Sequence, residues 1–310
     1  MWRKATAAGA AVLVIGLVVA TAAGAHGWPD GGSHFPRWTK AEPVGPVNEA
    51  DSAEGCPFES PDGLSLFFAS NRGQEPNDIW VADRTSVNEP WQAPRRLESP
   101  INEAGFGDFC PTPVRGRSLM FVSTRGGAGS CGDGDMYISR QSPAGGWSEP
   151  VNLGCDHEGG PNTPGGERSP SLVETPYGTF LFYSTNGTSD HQDIRVSRMR
   201  KDGTFGRGKI IKALSTPSQD LMPNVRERES GGFEMVFSSD RPASRSSGKV
   251  QGSQDVYMSF AWFLPGPWSP PKNVGTGVNT PGSETRATLS RDGKRLYFGR
   301  DGDIFVSKRR

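Results

Sequence analysis

Five acidic residues recur at one position of a repeated pattern, each shortly before a segment that usually contains proline. They are Glu54, Asp108, Glu167, Asp220 and Glu284. Carboxylates that converge raise one another's pKa unless a cation or a basic side chain neutralises them. Three roles therefore stay open: an internal acid–base lattice, a cation site, or a carboxylate pair for sugar chemistry. We favour the lattice.

A set of basic residues occupies a second recurrent position, directly after an apolar run. These residues are Arg72, Arg125, Arg241 and Arg300, and Asn186 stands at this place in the third copy. Positive charge beside a carboxylate favours its ionised form and offsets repulsion within the acidic set. The acids and the arginines together are the candidate ligand-binding residues, and none of them is assigned a catalytic role.

Short elements that the chain repeats five times must position these residues. One of them begins with Asp followed by alternating apolar residues, at Asp78–Ala82, Asp135–Ser139, Asp193–Ser197, Asp255–Ser259 and Asp303–Ser307. An apolar run precedes each, a W-x-x-P segment follows most of them, and the acid-led segment comes next. Such periodicity is typical of repeat folds, and here it predicts four short strands per copy. Because this Asp recurs in every copy, we interpret it as a turn residue.

The pattern predicts an all-β, five-bladed β-propeller with four-stranded antiparallel blades. The chain has 41 Gly and 26 Pro among 310 residues, which leaves little room for long helices. Apolar residues on both faces of the second strand indicate a sheet that is covered on both sides. Proline in the acid-led strand indicates an edge, which is the innermost strand of a blade. The segment at Trp38 is expected to pair with the last blade and close the ring.

Strand order divides the loops between two rims of the predicted ring. The loop rim carries the connections between blades and the long loops at Arg125–Asp135, Gly154–Glu167 and Arg241–Asp255. The turn rim carries the hairpins of the type Ser60–Gly63. The five acids begin the innermost strands, so they are expected at the channel mouth on the loop rim. Binding usually resides on loops held by a rigid frame, and we expect the ligand there.

Two stretches carry a resemblance to a known family. SPDGLSLFFASNRG with DIWVADR, and SRDGKRLYFGRDGDIFVSKR, resemble the TolB-type, WD40-like β-propeller repeat. The resemblance implies a secreted, non-catalytic binding or scaffold module that engages a protein or cell-envelope ligand on the loop rim. The alternative is a glycoside-active enzyme that uses carboxylates at the channel mouth, with a glycan as its ligand.

Charge and the N-terminal residues limit the partners and the location. Lys plus Arg and Asp plus Glu are both 34, so the charge balance does not favour nucleic acid. Residues 1–25 have the layout of a signal peptide, with an uncleaved anchor as the open alternative. They predict a secreted or envelope protein, with a linker at 26–37 and one propeller domain at 38–310. We expect a monomer without a membrane span after cleavage.

Export permits disulfides among the four cysteines. Cys131 and Cys155 fall in two loops of the loop rim and form the first predicted pair. Cys56 and Cys110 hold equivalent positions in adjacent blades and form a second pair, less secure because a disulfide tolerates a separation of only about 7 Å. No cofactor is expected, apart from the open case of Ca²⁺ at the acidic ring.

Overall fold

The structure is a computed structural model that describes residues 35–73, 76–127, 129–244 and 248–310. Within these ranges the strands form five four-stranded antiparallel sheets, which confirms the predicted all-β, five-bladed propeller. The predicted signal peptide at 1–25 lies outside the described residues, as does most of the predicted linker. No helix in the described ranges has the length and apolar character needed to cross a membrane.

Each blade consists of three strands of six to nine residues and one strand of two residues. Blade 1 contains β2 (Glu54–Glu59), β3 (Ser65–Ser70), β4 (Asp78–Asp83) and β5 (Arg95–Arg96). Blade 2 contains β6 (Asp108–Val114), β7 (Ser118–Ser123), β8 (Asp135–Arg140) and β9 (Val151–Asn152). Blade 3 contains β10 (Glu167–Thr175), β11 (Gly178–Thr185), β12 (Asp193–Arg198) and β13 (Lys209–Ile210).

The last two blades complete the ring. Blade 4 contains β14 (Asp220–Glu227), β15 (Phe233–Ser239), β16 (Asp255–Ala261) and β17 (Lys272–Asn273). Blade 5 contains β18 (Glu284–Leu289), β19 (Arg295–Arg300), β20 (Asp303–Lys308) and the N-terminal β1 (Glu42–Pro43). The first strands of neighbouring blades contact one another all the way around the ring. These strands, β2, β6, β10, β14 and β18, therefore line the central channel.

The apolar second strands lie between neighbouring blades, as their two-sided pattern predicts. Every residue of β7 and of β15 is buried. Met120 and Val122 of blade 2 pack in one cluster with Leu181 and Tyr183 of blade 3. Burial of large apolar side chains between blades is the main stabilising contribution to such a fold.

The N-terminal segment closes the ring by joining blade 5. Glu42 pairs with Val306 in the antiparallel register of β1 and β20, and Trp38 forms a further bridge with Arg309. The predicted closure is therefore confirmed. Pairing the two ends of the chain in one sheet removes two exposed strand edges.

Each first strand contains a β-bulge at its third residue. The bulged residues have positive φ angles between 48° and 58°, and they are Cys56, Cys110, Ser169, Met222 and Arg286. The register shifts at this point in all five sheets. Proline follows four of the five bulges, a position where its missing N–H is tolerated. The recurrent proline thus marks the bulge as well as the inner edge.

Four asparagines fix the third strands to the connections between blades. Asn102 accepts a hydrogen bond from the N–H of Ile79 at 2.8 Å and donates to the Ile79 carbonyl at 2.9 Å. The same pair of hydrogen bonds joins three further asparagines to the third strand of a blade: Asn48 to Ile304, Asn162 to Met136, and Asn279 to Val256. The asparagine oxygen satisfies the N–H of the strand residue, whereas the carbonyl also accepts a backbone hydrogen bond, as Ile79 does from the N–H of Leu97 at 3.0 Å.

Candidate functional site

The five acids at the loop rim are all buried, and four of them pair with the arginine of their own blade. Arg72 binds Glu54 at 2.9 Å, Arg125 binds Asp108 at 2.8 Å, Arg300 binds Glu284 at 2.7 Å, and Arg241 binds Asp220. The structure therefore brings together, blade by blade, the two residue sets that the sequence singles out.

Blade 2 shows what one such pair holds in place. Asp108 accepts hydrogen bonds from Arg125 and from the backbone N–H of Glu103. Arg125 also donates to the carbonyl of Ile101 at 2.7 Å and lies over the rings of Phe121 and Tyr137. Burial raises the pKa of the Asp108 carboxyl, and the hydrogen bonds oppose that shift. The pair thus fixes the connection between two blades.

Blade 3 departs from this arrangement because Asn186 stands where the other blades have arginine. Glu167 accepts hydrogen bonds from the N–H and the hydroxyl of Thr163, at 3.0 Å and 2.6 Å. Its Oε2 atom is buried and has no hydrogen-bond partner within the described residues. Burial raises the pKa of Glu167 to about 8, against the opposing hydrogen bonds from Thr163. The carboxyl therefore holds its proton to a higher pH than a solvated glutamate does.

The recurrent aspartates lie where β4, β8, β12, β16 and β20 begin. Asp135 accepts from the N–H of Cys131 at 2.7 Å, and Asp255 accepts from the N–H of Gln251 at 2.7 Å. Each also receives a hydrogen bond from an asparagine of the fourth strand. In blades 2 and 4 this is the turn role that their recurrence predicts, whereas Asp78 of blade 1 binds Arg96 at 2.6 Å.

Both predicted disulfides are present. Cys131 and Cys155 are bonded across two loops of the loop rim, and Cys56 is bonded to Cys110. The Cα atoms of Cys56 and Cys110 are 4.8 Å apart, because the bulges bring equivalent residues of adjacent first strands close together at the channel axis. The two bonds indicate an exported protein, since disulfides persist in oxidising compartments.

The channel is nearly filled at its centre and opens into a cavity at the turn rim. The central space measures about 10 Å³ and is lined by the bulged residues and their neighbours. The cavity at the turn rim measures about 750 Å³ and is lined by residues of all five blades. A volume of roughly 300 to 1,000 Å³ is usual for a small-molecule or cofactor site. This cavity lies at the rim opposite the predicted binding loops.

The turn-rim cavity has an apolar base and charged walls. Phe58, Val225 and Leu289 are among its apolar residues. Two hairpins of identical design form part of the wall: Ser60 donates to Asp62 at 2.5 Å, and Ser290 donates to Asp292 at 2.6 Å. These local serine–aspartate hydrogen bonds stabilise both turns.

The glutamates of this cavity are of two kinds. Glu59 is buried and binds Arg84 at 3.0 Å, Arg295 at 2.9 Å and the hydroxyl of Tyr297 at 2.9 Å. It therefore joins blade 1 to blade 5.

The three other glutamates of the cavity wall, Glu174, Glu227 and Glu229, are exposed. Their side chains form no ion pair with any described residue. Glu174 and Glu227 occupy the same strand position, five residues beyond the bulge, on adjacent blades. They are free to contact a ligand.

In the described part of the chain, no three His, Cys, Asp or Glu side chains are placed to hold a metal ion together. The oxygens of Glu54, Asp108, Asp220 and Glu284 are already engaged by arginine and by other donors. Calcium binding at this ring stays a prediction, as does ligand binding by its nine residues.

Solved structures with a similar fold are glycoside hydrolases. A thermostable family-43 glycoside hydrolase matches 86% of this chain and 92% of its own, with 15% identity and a TM-score of 0.54. The α-L-arabinofuranosidase of Podospora anserina, solved with cellotriose, matches 89% and 97%, with 12% identity and a TM-score of 0.56. The endo-arabinase of Bacteroides thetaiotaomicron matches 88% and 97%, with 15% identity and a TM-score of 0.55. Neither a protein-family model nor a curated protein matches the sequence.

These neighbours correct two expectations. The assignment to the TolB-type, WD40-like family is wrong, because the shared turn-and-strand pattern reflects the propeller hairpin, which unrelated propellers also need. The interpretation as a non-catalytic binding or scaffold module is overturned as well. At this level of identity the likeness itself shows the shared five-bladed fold.

Sequence reasoning missed the turn-rim residues. Glu174 and Glu227 attract no notice because neither recurs in the other blades. Their signal is their register: each follows the bulge residue of its strand, Ser169 or Met222, by five positions. Counting from the bulge would have placed both at the same end of the channel.

Proposed function

We propose that this chain is a glycoside-active propeller that binds a carbohydrate in the turn-rim cavity. The observation that carries the proposal is the pair of exposed carboxylates, Glu174 and Glu227, at one strand position of adjacent blades beside a cavity of about 750 Å³. Carboxylates and guanidinium groups are effective hydrogen-bond partners for sugar hydroxyls. The apolar base at Phe58 and Leu289 provides a surface for the faces of sugar rings.

Glycoside hydrolysis needs two carboxyl groups that flank the scissile bond, commonly about 5 to 9.5 Å apart. We assign this role to Glu174 and Glu227. One of them donates a proton to the leaving oxygen, and the other activates water or attacks the anomeric carbon. Glu59 is unsuited, because Arg84, Arg295 and Tyr297 already occupy its oxygens. The ligand class follows the glycan-active neighbours, which include arabinan- and xylan-type enzymes in name.

The test is turnover and binding on a panel of arabinan and xylan fragments. We expect Glu174→Gln and Glu227→Gln each to lower turnover by about 100-fold or more, as for loss of a general acid or base. Glu149→Gln, an exposed change on the outer side of blade 2, is the matched control and should retain full turnover. Unchanged turnover in both cavity variants would overturn the assignment. Absence of both binding and turnover on every fragment of the panel would overturn the function.

A further inference from the structure

Two arginines lie on the first strands of blades 3 and 5, at or next to the bulge. Arg286 lines the narrow centre of the channel, and Arg168 precedes the bulge on its loop-rim side. Arg168 directly precedes the bulge residue of blade 3, and Arg286 is the bulge residue of blade 5. Both side chains are partly buried. Neither guanidinium forms an ion pair with a carboxylate of the described residues. They differ in this respect from the four arginines of the acidic ring.

Glycines make room for both side chains. A Cβ atom at Gly55, in the first strand of blade 1, would collide with the Nη1 atom of Arg286. A Cβ at Gly166 would lie 2.8 Å from Nη1 of Arg168. Arg168 also lies over the ring of Phe109, at 5.1 Å from the centroid, and donates to the carbonyl of Glu167 at 2.7 Å. The absence of a side chain at Gly55 and Gly166 therefore leaves space for the two guanidinium groups.

The positive charge of this pair is poorly compensated. The Nε atom of Arg286 is buried and has no hydrogen-bond partner within the described residues. Burial, and secondarily the positive charge of Arg168, lowers the pKa of Arg286 to about 10. Burial lowers the pKa of Arg168 too, against the opposing charges of Glu167 and the exposed Asp133. Burial raises the pKa of Glu167, which weakens its compensation of this positive charge.

The remaining bulge positions supply no negative charge. Cys56 and Cys110 are joined in a disulfide, and Ser169 and Met222 are uncharged. A buried charge without a partner is costly, and proteins usually compensate it with an opposite charge. Guanidinium groups favour planar oxyanions because they donate two parallel hydrogen bonds to them.

We propose that Arg168 and Arg286 form an anion site in the channel that takes a carboxylate entering from the loop rim. The carboxylate has two sources, a free small acid or the acid group of a uronic sugar in a glycan. The central space of about 10 Å³ admits no sugar ring. A uronic sugar would therefore stay on the loop-rim side, away from the turn-rim cavity. The proposal does not depend on hydrolysis at the turn rim.

The experiment measures the melting temperature and calorimetric binding of the full chain with sodium formate, sodium glucuronate and glucose, at constant ionic strength. We expect formate, glucuronate or both to raise the melting temperature, while glucose does not. A larger effect of formate identifies a free small acid, and a larger effect of glucuronate identifies the sugar acid. No rise with either anion would overturn the site.

Variants separate this site from general salt effects. Arg286→Gln should abolish the anion-dependent rise, and Arg168→Gln should weaken anion binding at least about tenfold. At low anion concentration Arg286→Gln should melt at or above the temperature of the wild type, because it removes an unpaired charge. Arg140→Gln, an exposed change, should retain the wild-type response. An unchanged anion response in both Arg286→Gln and Arg168→Gln would overturn the proposal.

Discussion

The loop rim and the turn rim of one channel use their carboxylates differently. At the loop rim, Glu54 and Glu284 are buried against Arg72 and Arg300. At the turn rim, Glu174 and Glu227 are exposed and form no ion pair within the described residues. Recurrence in every blade accompanies the structural role, whereas the candidate functional carboxylates occur in two blades only. In a repeat protein, a departure from the repeat is thus the better guide to function.

Breaking a loop-rim pair should give the largest effect on stability. Glu284→Gln removes the charge that Arg300 binds at 2.7 Å. Loss of one partner of a buried pair leaves the other charge uncompensated, and we expect a loss of about 3–5 kcal/mol in the free energy of unfolding. Urea unfolding measures it. A loss below about 1 kcal/mol would show that the Glu284–Arg300 pair contributes little to the stability of the fold.

Glu167→Gln is the same chemical change at the one ring position without an arginine. Unlike Glu284→Gln, it should raise the stability relative to the wild type at high pH. The folded-state pKa of Glu167 is about 8, above the ordinary value of 4.5. The folded state therefore holds a proton that the unfolded state loses, so stability falls as the pH rises from about 4.5 to about 8. At 1.36 kcal/mol per pKa unit, we expect this fall to be on the order of 4 kcal/mol.

In Glu167→Gln this part of the pH dependence should disappear, because glutamine does not titrate. The measurement is urea unfolding of the wild type and the variant at several pH values between 4.5 and 8.5. Glu284→Gln serves as the comparison, since it should lose stability throughout this range. A Glu167→Gln variant with the same fall in stability as the wild type would contradict the raised pKa of Glu167.

The turn-rim carboxylates should give the smallest effect on stability. Glu174 and Glu227 are exposed, so Glu174→Gln and Glu227→Gln should each change the free energy of unfolding by less than about 0.5 kcal/mol. Thermal and urea unfolding test this, with Glu149→Gln as the reference. A loss of several kcal/mol in either variant would show that the residue stabilises the fold, which would contradict its assignment to the ligand site.

The fold could be read from the sequence because the propeller repeats its own signals. The five copies of the Asp-led strand predict the blades, and the N-terminal Trp38 segment predicts the closure with Arg309. The acid–arginine pairs are predictable for the same reason, since both members recur at fixed positions within a blade. The disulfide Cys56–Cys110 follows from equivalent positions once the bulge is known.

The position of the cavity could not be read in the same way. It depends on how far apart the first strands lie at each rim and on which side chains fill the space between them, and neither quantity is encoded in a local pattern. Arg286 illustrates the difficulty, since a single arginine at a bulge has no recurrence to mark it. The asparagine contacts were detectable, because Val47-Asn48, Ile101-Asn102 and Val278-Asn279 repeat the same dipeptide type.

A crystal structure of the chain with a bound arabino- or xylo-oligosaccharide would test the division between the two rims most directly. We predict sugar density in the turn-rim cavity, within hydrogen-bond distance of Glu174 and Glu227, while Glu54, Asp108, Asp220 and Glu284 keep their arginine partners. Sugar density at the loop rim, with one of those ion pairs opened to contact it, would contradict the account.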